Sequence, residues 1–295
     1  MTTHNRLFID LHVHSNYSDG AFSPGELVER ALKEGLKTIA IADHDSIAGV
    51  AEGILAGAAL GIEVIPAVEL SVQFKEWQDL HLLGYGMDYT DSGFLGKLNG
   101  FRERREHRNI EILQRINELL ALESRTPIGL DEVLAHARDT IGRPHIARVL
   151  LEKGYVQNIE DAFRRYLVPC NVSKCYWPVA DAMSMIRRLG GIAVLAHPTT
   201  VSTGRQELRN IITELSSMGL DGIEVYNNMA QPDDMEFLRR LAGELELLIS
   251  GGSDFHGIEE GLEMGRGRGG IHFNDTLLAP LRKLLTQRQD QLLSL

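Results

Sequence analysis

The stretch Phe8-Ile9-Asp10-Leu11-His12-Val13-His14-Ser15-Asn16-Tyr17-Ser18-Asp19-Gly20 decides how the chain is read. A short apolar run passes directly into two histidines, and a turn carrying Asp19-Gly20 comes next. Residues two apart on an extended chain share a face, so His12 and His14 can aim both imidazoles at one ion while Asp19 returns from the turn. A single His-x-His arises easily by composition. The reading therefore rests on whether later strands end in the same chemistry.

They do. After a helix start at Ser23-Pro24-Gly25-Glu26, with its capping serine, early proline and glutamate three residues on, the run 37–42 reads as a buried strand ending in Asp43-His44-Asp45. Residues 47–60 read as a helix stopped by Gly61, and the strand 62–68 ends in Glu69. The next extended piece, 79–85, places His81 among apolar neighbours. Past Pro178 the same rhythm returns. The strand 192–196 ends in His197-Pro198, the strand 222–226 in Asn227-Asn228, and the strand 246–250 delivers Gly251-Gly252-Ser253-Asp254-Phe255-His256. A Gly/Arg turn, 265–270, reads equally as a phosphate-approach loop or an ordinary turn, and a final helix covers 277–292.

Between these halves the strand pattern stops. Residues 94–168 read as an inserted helical subdomain, with 1–93 and 169–295 the two parts of the main domain. The run Phe101-Arg102-Glu103-Arg104-Arg105-Glu106-His107-Arg108 reads as a solvated helix face, with Leu113, Ile116, Leu119 and Leu120 inward at helical spacing. Gly142-Arg143-Pro144-His145-Ile146-Ala147 opens another helix, whose first-turn amides beside Arg143 and His145 suit a phosphate as well as they suit water.

A chain of 295 residues with 43% apolar and 24% charged side chains has the composition of a packed protein, not a disordered one. No basic leader or long apolar segment points to a membrane, and two cysteines, Cys170 and Cys175, are too few for a disulfide framework. They read as ordinary thiols, a half-site for zinc being the other option, and the cytoplasm is the expected compartment. A net charge of −11 argues against tight binding of long duplex nucleic acid. Bound divalent cations would still make a site locally positive, so a small phosphorylated substrate or an oligonucleotide end fits.

Strands alternating with helices imply a parallel sheet. About seven such units suggest closure into a barrel with functional groups at the C-terminal strand ends. His12, His14, Asp19, His44, Glu69, His197, Asp254 and His256 lie at or just beyond strand ends, and His81 within one. Mixed imidazole and carboxylate donors without thiolate suit Mn²⁺, Zn²⁺ or Fe²⁺ better than Mg²⁺ or Ca²⁺ held by oxygen alone, and Mn²⁺ is the expected ion. So many candidates exceed what one ion can use; two or three ions could share them, bridged by Glu69, with a bridging hydroxide attacking phosphorus in line.

Taken together, His12-Val13-His14-Ser15, Ser18-Asp19-Gly20, Asp43-His44-Asp45, Glu69, Leu195-Ala196-His197-Pro198 and Ser253-Asp254-Phe255-His256 resemble the PHP (polymerase and histidinol phosphatase) family. That resemblance implies an α/β fold, a distorted (β/α)7 barrel, with a trinuclear metal centre. In it His12, His14, Glu69 and Asp254 would hold one ion, Asp19, His44 and His256 a second, and Glu69, His81 and His197 a third. His197, His256 and Asp254 are the catalytic candidates; Arg143, His145, Ser15, Asp19 and His44 are the substrate-side candidates. The insertion is similar to the branch acting on 3′,5′-nucleoside bisphosphates or trimming 5′-phosphorylated short RNA. A histidinol-phosphate phosphatase and a non-catalytic metal-binding module supporting a partner are the other readings.

Overall fold

In a computed structural model of the chain, the residues described are 8–136, 141–259, 261–267 and 270–294. Strand β1 (Phe8–Val13) pairs in parallel with β2 (Leu36–Ile41), and β2 with β3 (Glu63–Phe74). The crossover helix α1 (Pro24–Lys33) begins as its sequence dictates: the Ser23 hydroxyl accepts from the Glu26 amide, and the Glu26 carboxylate accepts from the Ser23 amide at 2.7 Å. Leu27, Val28 and Ala31 then face the sheet and are fully buried. The second crossover, α2 (Val50–Leu60), ends on Gly61, whose φ of 71° closes the helix in the left-handed region.

Here the fold departs from the expected all-parallel sheet. β3 does not end at Glu69 but runs on to Phe74, turns at once, and pairs antiparallel with β4 (Trp77–Tyr85). Antiparallel neighbours need only a tight turn, whereas parallel ones need a crossover, and no helix separates these two strands. β4 also pairs antiparallel with β6 (Ile192–Leu195), after β5 (Trp177–Pro178) has added a short parallel rung to β3. β7 (Gly222–Tyr226) and β8 (Leu248–Gly251) restore the parallel pattern, so the path is β1-β2-β3-β4-β6-β7-β8. Beyond β8 the chain returns to β1: Asp254 N donates to His12 O and His14 N to Phe255 O, both at 2.9 Å. The result is an α/β fold on a mixed sheet.

The insertion is carried by α3 (Ser92–Leu122), which starts at Asp91, whose side chain accepts from the Phe94 amide. Phe94 and Leu98 belong to the main core with Trp177 and Val72. Further along, Ile112, Ile116 and Leu120 join a second apolar cluster with Ile146 and Leu150 of α5 (Arg143–Glu152), which comes after the short α4 (Leu130–Leu134), and with Tyr166 beyond α6 (Ile159–Ala162). One continuous helix thus ties the inserted cluster to the sheet. Cys170 is buried in the inserted cluster and Cys175 is exposed; both are free thiols. Helices α7 (Val179–Arg188), α8 (Arg205–Ser217) and α9 (Pro232–Glu244) come between or before the later strands, and α10 (Leu278–Leu293) falls where a final helix was expected. Of the Gly/Arg turn, Arg268 and Gly269 lie outside the described residues. Among the described residues no helix is long and apolar enough to cross a membrane.

Candidate metal centre

Every one of the nine donor candidates comes to the same end of the sheet. Glu69 is the hub: its Oε2 lies 3.3 Å from the Nε2 atoms of both His12 and His14 and 3.0 Å from His44 Nδ1, and its Oε1 lies 3.0 Å from His81 Nδ1 and His197 Nε2. The antiparallel β3–β4 pairing explains His81. Ser71 faces His81 and Glu69 faces Leu83 across the ladder, so Glu69 and His81 project from one face although neither ends its strand. Asp254 Oδ1 approaches His12 and His14 at 3.4 and 3.1 Å, and Asp19 lies 3.4 Å from His256 Nε2 and 3.8 Å from His44 Nε2.

Among the described residues three groups have donor atoms within 4.8 Å of one another: His12, His14, Glu69, Asp254; then His14, Asp19, His44, His256; then His44, Glu69, His81. The first matches the set the resemblance implied. The second adds His14, and the third has His44 where His197 was expected. His197 nonetheless sits 3.3 Å from His81 as well as against Glu69.

Whether these residues suit a cation can be judged from their unmet bonding. His14 Nδ1, Asp19 Oδ1, His44 Nδ1 and Glu69 Oε2 are all buried without an aligned hydrogen-bond partner, and a buried polar atom in that condition costs on the order of 1–3 kcal/mol. Four such atoms converging in one cluster are what a set of metal donors looks like before the ion is counted. The charges agree. Burial opposes ionisation of Glu69 and Asp19, but the imidazoles around them hold both well below the usual carboxylate range. Burial pushes His44 down to about 4, while His81 and His256, against the pull of burial, are brought up to about 9 and about 10 by Glu69 and Asp79 and by Asp19 and Asp254. The carboxylates thus attract positive charge to the cluster.

A surrounding layer, unnoticed in the sequence, aims the donors. Glu224 of β7 is fully buried; one oxygen accepts from His12 Nδ1 at 3.0 Å and the other from the His197 amide at 2.8 Å. A carboxylate can only accept, so His12 Nδ1 carries a proton toward Glu224, which leaves Nε2 as the ring atom directed at Glu69 and Asp254. Asp10 accepts from the amides of His12, Ser253 and Gly265 and from the Ser253 hydroxyl; burial nevertheless lifts it to about 6. Asp43 accepts from the amide and hydroxyl of Ser15 and the hydroxyl of Ser18. Ser15, read from sequence as a substrate contact, is therefore fully buried with its hydroxyl committed to Asp43, and its place is in the brace of the His14 loop. The available clue was an acid inside an apolar run, as in Phe8-Ile9-Asp10-Leu11 and Gly222-Ile223-Glu224-Val225, because a buried charge needs partners.

Backbone strain collects here too. Asp45, Asp79, His197 and Asp254 have positive φ, of 51°, 61°, 26° and 55°, each a cost of about 1 kcal/mol or more that the packing around them must hold.

The insertion reaches the cluster through α5. Arg143 shares a cavity with Asp19, His44 and His81, its guanidinium 5.7 Å from the Phe163 ring centroid, and Arg105, Arg108 and Lys174 line the same cavity. His145 is mostly buried, and its Nδ1 accepts from the Gly142 amide at 2.9 Å, capping its own helix. The two residues are thus divided: Arg143 faces the cavity, and His145 supports the turn that presents it.

Known proteins are similar to this chain in sequence and form. A family model described as the PHP domain matches residues 10–257. A 5′-3′ exoribonuclease of Haemophilus influenzae is 36% identical over 250 residues, 84% of this chain and 89% of that protein. A 3′,5′-nucleoside bisphosphate phosphatase of Chromobacterium violaceum is 35% identical over 260 residues, 86% of this chain and 88% of that one. A solved structure from Bifidobacterium adolescentis, described as a metal-dependent phosphoesterase, superposes with a TM-score of 0.81 at 28% identity, covering 94% of this chain and 96% of its own. The chain is a hydrolase. The matched span takes in every donor from His12 to His256 together with the acids that orient them, and on that ground the chain belongs to the PHP domain family.

Proposed function

We propose that the protein is a metal-dependent phosphoesterase of nucleotides, acting on 3′,5′-nucleoside bisphosphates or on the 5′-phosphorylated ends of short oligonucleotides. The sheet would be the wall of a distorted (β/α)7 barrel, with the donor cluster at its mouth. Two or three ions, Mn²⁺ first and Zn²⁺ or Fe²⁺ as alternatives, would be held by His12, His14, Asp19, His44, Glu69, His81, His197, Asp254 and His256. When bound, such ions polarise phosphate oxygens and acidify a water that can serve as nucleophile.

The chain's own groups do the rest. Glu224 fixes the His12 tautomer, and the Asp254 carbonyl accepts from His256 Nδ1 at 2.9 Å, leaving His256 Nε2 turned to Asp19. Thr200 Oγ1 lies 3.0 Å from His197 Nδ1, and His197 Nε2 faces Glu69. Arg143 carries the nucleotide reading. A guanidinium on the wall of the donor cavity can grip a second phosphate with paired, charge-assisted hydrogen bonds worth on the order of 2 kcal/mol, somewhat more than tenfold in affinity.

Arg143→Ala should therefore slow hydrolysis of adenosine 3′,5′-bisphosphate about tenfold or more, leave metal content unchanged, and hardly affect p-nitrophenyl phosphate, which has no second phosphate. Equal slowing of both substrates would place Arg143 at the scissile phosphate instead. The function itself is tested by offering the manganese-loaded protein adenosine 3′,5′-bisphosphate, a 5′-phosphorylated RNA oligomer and histidinol phosphate side by side; preference for the last would overturn the nucleotide reading. The orienting role of Glu224 has its own measurement. Glu224→Gln should weaken metal binding by roughly 10–100-fold in a calorimetric titration, and an unchanged isotherm would reduce Glu224 to a packing role.

A further inference from the structure

The charged run of α3 is not a uniformly solvated face. Lys97, Phe101, Arg104, Arg105 and Arg108 recur at the three-and-four spacing that keeps side chains on one side of a helix, and that side borders a groove made of three clefts that share lining residues. The groove opens at the donor cluster, in a cavity of about 140 Å³ where Arg105, Arg108 and Arg143 meet His44 and His81. Arg105 and Arg108 carry it into a cleft of about 280 Å³ between α3 and residues 172–175, where Arg104 joins them. Arg104 and Phe101 pass it on to a third cleft, of about 370 Å³, bounded by Lys97 and Trp177. From Lys97 to Arg108 the helix covers about 16 Å.

Much of the positive charge along this line is uncompensated. Arg104 stacks 4.4 Å from the Phe101 ring centroid, Lys97 lies 5.0 Å from that of Trp177, and among the described residues neither they nor Arg143 form an ion pair. Arg108 donates to neutral acceptors, Val172 O at 2.7 Å and Asn171 Oδ1 at 2.8 Å. Burial, together with repulsion from Arg143 and Arg105, pulls the Arg108 pKa down, a tension that an anion relieves. The acids nearby are largely spent: Glu111 pairs with Arg115, Asp79 with Lys174, and Asp45 accepts from the Ser71 amide while lying 3.9 Å from Arg105. Asp181 lines the far end, and Asp19, held among His14, His44 and His256, lines the near end.

We infer that this groove is a track for a single-stranded oligonucleotide, whose successive phosphates lead away from the donor cluster past Arg143 and Arg108 to Arg104 and Lys97. The inference rests on the phosphoesterase reading and narrows its substrate to a polyanion, because a row of separated cations recognises several phosphates where one phosphate needs only the first. Contacts to phosphates and ring faces read no base edges, so the track is indifferent to sequence. On a chain of net charge −11 the stripe also decides where a polyanion can approach.

The double variant Lys97→Ala/Arg104→Ala tests the track, since both side chains are exposed and remote from the donor cluster. At low salt its kcat/KM on a 5′-phosphorylated RNA decamer should fall on the order of tenfold, with adenosine 3′,5′-bisphosphate turned over as by the parent. The slope of log affinity against log salt for the decamer should shrink by about 1.4, the share of two single-strand phosphate contacts. Equal loss on both substrates, or none on the decamer, overturns the track while the phosphoesterase reading stands. If the parent protein cleaves neither nucleotide substrate, that reading fails by itself. Fluorescence anisotropy of a labelled decamer then still decides the track: binding weakened in the double variant supports it, and unchanged binding refutes it.

Discussion

Glu69→Gln is expected to reduce turnover by about 10³-fold or more and to lower the metal content of the purified protein. Glu69 is fully buried and its two oxygens face five imidazoles at 3.0–3.3 Å, so it is the one carboxylate common to two of the three donor groups. The amide keeps the volume but removes the charge and replaces an acceptor with a donor aimed at ring nitrogens. Electrostatic stabilisation by bound ions is worth several kcal/mol, and each 1.36 kcal/mol is a factor of ten in rate. Elemental analysis after reconstitution with excess Mn²⁺ should show two to three ions per chain in the parent and fewer in the variant. Circular dichroism must accompany it, because metal binding and folding are linked. Parent-like turnover and metal content in the variant would refute the role of Glu69 as the shared ligand; no more than one ion in the parent would refute the multinuclear centre.

Gly252→Ala is expected to be strongly damaging to the site although it adds only one methyl group. A β-carbon there would lie 2.3 Å from the β-carbon of His12 and 2.5 Å from its amide nitrogen, distances that real structures do not sustain. Two residues further on, Asp254 N is bonded to His12 O, so the segment cannot step aside without parting the two donors. Overpacking of this kind costs roughly 3 kcal/mol, visible as a lower urea midpoint, and metal affinity should fall with it. Gly243→Ala is the matched control. It lies exposed in α9 with nothing within 4 Å of the added carbon, and it should be neutral or stabilise by up to about 1 kcal/mol. Similar urea midpoints for the two variants would mean that the close approach at His12 is not rigid.

Much of the centre was legible because strand ends are local events. His12-x-His14, Asp43-His44-Asp45 and Asp254-x-His256 each come directly after an apolar run, and a strand delivers its next residues to the sheet's edge whatever the rest of the chain does. Helix boundaries were legible for the same reason: the Ser23 cap and Gly61 act within one turn of backbone. The β3–β4 hairpin was not. An apolar strand looks alike whether its neighbour is parallel or antiparallel, and Glu69 ended a run of hydrophobic residues without ending the strand.

By itself, then, the sequence determined which residues could donate to a metal, that several of them lie at strand ends, and that a helical segment interrupts the alternation, since each of these depends on neighbours in the chain. Only the tertiary structure decided that Glu224 and Asp10 aim His12, that the buried Ser15 hydroxyl donates to Asp43, and that Arg143 meets Arg105 and Arg108 in one cavity. Those relations join residues up to hundreds of positions apart. They arise from which faces the sheet and helices bury against one another, and no local spacing encodes that.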